Sequence, residues 1–102
     1  MSASNRVQDG IATITMTGRF DFSVHAEFKA SSEAVFVHRD IKQLDVNISQ
    51  VDYVDSSALG MLLVLKDRAT AAGVKTTSLV GARGLVKQIL DVAHFEKFFT
   101  LR

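Results

Sequence analysis

The stretch Val51–Gly60, VDYVDSSALG, decides how the rest of the chain is read. An aspartate and two adjacent serines separate it into a strand-like beginning and a small apolar run, which marks a strand handing over to a helix. With Asp55 as N-cap, its carboxylate accepts from the backbone N–H of Ser57 or Ala58. Ser56 then lies in the first turn with its hydroxyl free near the positive end of the helix. The helix is predicted over Ser56 to Ala72, with Leu59, Leu62, Leu63 and Ala69 on one side and Gly73 as its C′ residue.

Working outward, Leu44, Val46 and Ile48 alternate with Asp45, Asn47 and Ser49, the period of a short strand. Further upstream, Phe22 to Val37 places Phe22, Ala26, Ala30 and Ala34 four apart, with Phe28 and Val35 widening the apolar stripe; a helix is predicted there. Arg6–Gln8 and Ile11–Thr17 flank Asp9-Gly10 and read as a hairpin with one face buried. Downstream, Val74 to Val80 is the next strand. Gly81 and Gly84 precede a third helix in which Leu85, Ile89, Leu90 and Ala93 keep helical spacing, and the final FEKFFTLR adds a possible edge strand. Helices alternating with single strands imply crossover connections, so Leu44–Ile48 and Thr76–Val80 should pair in parallel beside the opening hairpin. The expectation is an α/β fold with a mixed sheet, in one domain spanning residues 1–102.

Composition removes several classes of function. Twelve basic and 11 acidic residues leave a formal net charge of +1, too little basic excess to neutralise many phosphates, so nucleic acid is not an expected partner. There is no cysteine, hence no disulfide, thiolate nucleophile or thiolate metal site, which suits a reducing compartment; the cytoplasm is the expected location. The longest apolar run, Met61–Leu65, is far shorter than a bilayer span, so no membrane insertion is expected.

Three readings of the serine pair follow from its position: a plain cap, a nucleophile, or a phosphorylation switch. A hydrolytic serine needs a base, an orienting group and an oxyanion hole, yet the stretch is not G-x-S-x-G and spacing ties none of His25, His38 and His94 to it. Those scattered histidines are also a poor metal signature, and neither a metal nor a cofactor is expected. Gly81-Ala82-Arg83-Gly84 lacks the lysine and hydroxyl of a phosphate-binding loop and reads as a tight strand-to-helix turn. Phe95, Phe98 and Phe99 read as closing a small core. For the switch, phosphate at Ser56 brings about −1.5 to −2 charges, favoured by the helix N-terminus and disfavoured by Asp52 and Asp55.

The segment from Val51 to Phe99, with the hairpin ending in Gly18-Arg19-Phe20-Asp21 before it, resembles the STAS family, shared by anti-sigma factor antagonists and the cytosolic tails of sulfate transporters. The signature is Asp55-Ser56-Ser57-Ala58-Leu59-Gly60, in which Ala58 stands where many relatives have glycine. The resemblance implies a four- or five-stranded sheet with helices packed on one face, and a protein that binds rather than catalyses. It implies an antagonist that docks, when unphosphorylated, on an anti-sigma factor that is a serine kinase of histidine-kinase-like ATPase fold, releasing the sigma factor. A PP2C-type phosphatase reverses the modification. Carried over by position, the phosphoacceptor is Ser56, with Ser57 as the alternative, and the partner surface comprises Asp21, Asp52, Asp55, Ser56, Ser57 and Leu59. The resemblance also admits an adaptor subunit of a lipid-transport or signalling complex whose serine is never phosphorylated.

Overall fold

The computed structural model describes residues 2–102. The chain opens with the antiparallel hairpin β1 (Ser2–Gln8) and β2 (Ile11–Phe20), turning through Asp9-Gly10, both at positive φ. After a 3-10 turn at Phe22–Val24 come α1 (His25–Phe36), β3 (Gln43–Val54), α2 (Ser56–Ala71), β4 (Thr76–Val80), α3 (Gly84–Val92), a second 3-10 turn at Phe95–Lys97, and β5 (Thr100–Leu101). The five strands form one sheet in sequence order, antiparallel between β1 and β2 and parallel from β2 to β5. Each parallel connection carries helical structure, as a crossover requires.

The three helices pack on one face. Ala12, Ile14 and Met16 of β2 and Leu44, Val46 and Ile48 of β3 point into it and are buried, while their neighbours Thr13, Thr15, Asp45 and Asn47 lie on the more open side. Phe95 and Phe99 are stacked at 5.9 Å and buried where the sheet ends, with Phe98 edge-on to Phe95 and partly exposed. The predicted helices, hairpin and parallel pairing of β3 with β4 are present; of the FEKFFTLR segment only Thr100–Leu101 is strand and Phe95–Lys97 is a 3-10 turn, and three further details differ.

First, β3 does not stop at Ile48; it runs on to Val54. Its buried residues are Leu44, Val46, Ile48, Val51 and Val54, so the two-residue period gives way to intervals of three and the alternation that identifies a strand is lost. The cause is a pair of register shifts: Thr15 to Thr17 of β2 faces Asn47 to Gln50, and Gly18 to Arg19 faces Val51 to Tyr53, so β3 carries an extra residue at each. At the first shift the Ser49 backbone N–H and hydroxyl both donate to Asn47 Oδ1, at 3.0 and 2.8 Å, supplying the partner that the ladder does not.

Second, the buried stripe of α1 is Phe28, Ser31, Ser32 and Val35, preceded by Val24, and the series Phe22, Ala26, Ala30 and Ala34 faces outward. Two serines can occupy the inner face because they are small, and the Ser32 hydroxyl satisfies itself by donating to the Phe28 carbonyl at 2.8 Å. Third, α2 buries Ala58, Met61, Leu62, Leu65 and Ala69, leaving Leu59 and Leu63 half-buried, and α3 buries Val86 and Leu90 while Leu85 is exposed. Of the residues that spacing indicates, Phe28, Val35, Leu62, Ala69 and Leu90 are buried, and spacing alone does not separate them from apolar neighbours that are half-buried or exposed.

Candidate functional site

Two helical segments start side by side at the carboxyl ends of β2 and β3. In register, Phe20 lies against Val54, and the Asp55 N–H donates to the Phe20 carbonyl at 3.3 Å, which ties the two strand ends together. Each end carries an aspartate cap. Asp55 is extended (φ −111°, ψ −176°), and its Oδ1 accepts from the Ala58 N–H at 2.8 Å, one of the two donors that the sequence indicates. Asp21 caps the 3-10 turn before α1 in the same way, its Oδ1 accepting from the Ser23 N–H at 2.9 Å and also from the Ser23 hydroxyl.

This geometry brings Asp21, Asp55, Ser56 and Ser57 to one end of the sheet. Ser56 is the first residue of α2 and is exposed; Ser57 is half-buried. Among the described residues neither serine side chain is hydrogen-bonded to a histidine, although His25 and Ser57 line one groove. Asp52 is exposed and is the extra residue of the second register shift, which turns it away from the ladder next to Arg19 and Tyr53. Leu59 contributes less surface, because it packs in part against the core.

Arg19 is a cation at this end, taken in by the resemblance only as part of the Gly18–Asp21 segment, of which Gly18–Phe20 belongs to β2. Its guanidinium lies 4.2 Å from the centre of the Tyr53 ring, directly across the β2–β3 pairing, and its Nε is 3.6 Å from Asp21 Oδ2. Only the register set by the second shift puts Arg19 opposite Tyr53, which is why spacing could not reveal it. The hydrogen bonds from the Ser23 hydroxyl and N–H, with Arg19 in support, hold the Asp21 carboxyl below the usual carboxylate range against a weaker opposing effect of desolvation.

Arg83 is exposed, and its Nε donates to the Ser49 carbonyl at 3.2 Å, fastening the turn after β4 to the first shift in β3. Beside the serines, α1 and α2 leave a groove of about 550 Å³ between them. Ser57 stands in its wall, Phe28, Ser32, Met61 and Leu65 are its buried residues, and Phe22 and Val64 remain 67% and 68% exposed. No group of three His, Cys, Asp or Glu able to hold a metal occurs among the described residues, and none of their helices is long and apolar enough to cross a membrane.

Comparison with known proteins agrees with this architecture. The STAS domain family model matches residues 2–102. A STAS-domain containing protein of Pseudomonas aeruginosa (strain UCBPP-PA14) is 37% identical over 89 residues, 87% of this chain and 85% of that protein. Among solved structures, an anti-sigma factor antagonist from Mycobacterium paratuberculosis superposes with a TM-score of 0.82 at 19% identity, covering 98% of this chain and 83% of the other. The Bacillus anti-sigma factor antagonist SpoIIAA in its unphosphorylated form gives 0.74 at 15% identity, covering 99% and 87%.

Proposed function

The chain belongs to the STAS domain family, and on that premise we propose that it is an anti-sigma factor antagonist switched by phosphorylation of Ser56. Unphosphorylated, it docks on a cytoplasmic anti-sigma factor that is itself a serine kinase of histidine-kinase-like ATPase fold, and so releases the sigma factor. Phosphate on Ser56 ends the contact, and a PP2C-type phosphatase restores it. The chain supplies a surface and an acceptor, and the kinase supplies ATP and the catalytic groups; no enzymatic role is assigned to the chain itself.

The observation that carries this reading is the exposure of Ser56 at the first position of α2, directly after a cap formed by Asp55 rather than by the serine itself. Because the cap does not use the Ser56 hydroxyl, modification leaves the helix start intact and acts on the surface alone. Asp21, Asp52 and Asp55 already make that surface acidic, and the doubly charged group turns the formal net charge from +1 to about −1. A partner suited to the unmodified patch then meets like-charge repulsion and a greater desolvation cost.

The test is a binding comparison with the co-purified kinase. Wild-type protein and Ser56→Ala should bind alike, Ser56→Asp should bind at least about tenfold more weakly, and mass spectrometry should find condition-dependent phosphate at Ser56. Equal binding of Ser56→Ala and Ser56→Asp would reject the switch. An unmodified serine together with a co-purifying transporter subunit would make the chain an adaptor and leave Asp55-Ser56-Ser57 as a helix cap.

A further inference from the structure

The groove between α1 and α2 has a chemical character that partner switching does not use. Both helices follow neighbouring parallel strands, β2 and β3, and residues spaced along them line the two walls. From Ser57 to Arg68 the α2 wall runs about 17 Å at the helical rise. Gly60 opens that wall, since a Cβ placed on it would meet nothing within 4 Å.

Lys29 and Arg68, the charged residues among those lining the groove, are both basic; His25 also lines it, and no carboxylate among the described residues does. Arg68 is already engaged, with its Nη1 3.6 Å from Glu33 and its guanidinium 5.0 Å from the centre of the Phe36 ring, and His25 is stacked on Phe22 at 5.2 Å. Lys29 is exposed and makes no ion pair among the described residues. An apolar trough of about 550 Å³ falls within the size range of small-molecule sites, and an unpaired ammonium on its rim selects the sign of the head group.

From this we infer that the groove binds a single-chain anionic amphiphile, a long-chain carboxylate, whose chain lies along Phe28, Met61 and Leu65 and whose head group meets Lys29. Burial of the chain supplies the affinity and Lys29 the selectivity. Ser57 stands in the same wall, so an occupied groove borders the surface that Ser56 exposes. The assignment does not depend on whether Ser56 is phosphorylated.

The experiment is a titration of the full chain with dodecanoate below its critical micelle concentration, followed by the methyl resonance of Met61, one of three methionines. Dodecanol and dodecyltrimethylammonium serve as neutral and cationic comparisons. Dodecanoate should give a saturable Met61 shift and bind at least about tenfold more tightly than the cationic amphiphile. Lys29→Glu should weaken dodecanoate about tenfold without changing dodecanol. Gly60→Leu, which fills the open wall with a good helix former, should retain the fold by circular dichroism and abolish the shift. No saturable shift, equal binding of the cationic amphiphile, or Lys29→Glu binding dodecanoate as well as wild type would each overturn the proposal. None of these readouts involves Ser56, so failure here and failure of the partner switch are distinguishable.

Discussion

Asp55 and Asp21 hold neighbouring helical segments by the same device, yet they respond differently to perturbation. Asp55 satisfies one of the orphan donors at the start of α2; Asp55→Ala should cost about 1 kcal/mol and lower the thermal midpoint by about 4–8 °C, whereas Asp55→Ser should recover most of the loss. A denaturation series on the three proteins checks this, and a midpoint unchanged in Asp55→Ala would contradict the cap. Asp21 adds a pH signature. Its folded carboxyl is more acidic than an unfolded aspartate because the charged form accepts two hydrogen bonds from Ser23 and sits beside Arg19. A group with a lowered folded value contributes stability that is complete above the unfolded value, about pH 4, and is lost as pH falls through the folded one. Carboxyl NMR should therefore show Asp21 titrating below the usual aspartate range in the native protein, and Ser23→Ala should move it back upward. The Asp55 cap was legible because a cap is a local motif; the Arg19–Tyr53 contact was not, because it depends on register across two strands.

At the scale of elements, β3 is where local pattern and tertiary structure part. Its first half reads as a strand by alternation, and its second half does not because two extra residues convert the period from two to three. Those shifts carry the strand on to Asp55 and set Ser56 at the sheet's end, so the part of the fold least visible in the sequence positions the candidate site. The first shift is also braced from β4. Gly81 has φ +87°, and a Cβ there would lie 2.6 Å from the Cβ of Ser49 and 3.0 Å from its Cα. Gly73, after α2, has a similar φ of +84° but open space around it. Gly73→Ala should thus cost about 1–2 kcal/mol, the penalty of a left-handed residue alone, while Gly81→Ala should cost more because the backbone at the shift must move as well. Equal losses in urea denaturation would mean that Ser49 yields freely. In α2 the sign reverses: Gly60 occupies a helix interior with no neighbour to strike, so Gly60→Ala should stabilise by about 0.5–1 kcal/mol.

The whole molecule was legible where alternation and helical spacing are uninterrupted: the hairpin and three helices follow from residues a few positions apart, and the parallel β3–β4 pair from the alternation of helices with single strands. Which side of a helix faces inward was less so, since α1 buries two serines and exposes three alanines, and hydrophobicity alone ranks those residues the other way. That sidedness matters for the site because it leaves Phe22 and Lys29 outside, where they border the groove. The same packing bears on what phosphate at Ser56 can do to the domain. The modified hydroxyl would be exposed, and the core beneath α2 is formed by Ala58, Met61, Leu62 and Leu65, none of which the added group must displace. Attraction to the open N–H groups of the helix start contributes about 0.3–1 kcal/mol, and repulsion from Asp52 and Asp55 acts against it. Stability should therefore change by no more than about 1 kcal/mol in either direction. Phosphorylated protein and Ser56→Asp should show wild-type far-ultraviolet circular dichroism and nearly wild-type thermal midpoints, while the phosphorylated form is retained more strongly on an anion exchanger. A collapse of the midpoint on phosphorylation would locate the effect in the fold; a preserved midpoint with lost partner binding would locate it in the charge of one surface patch.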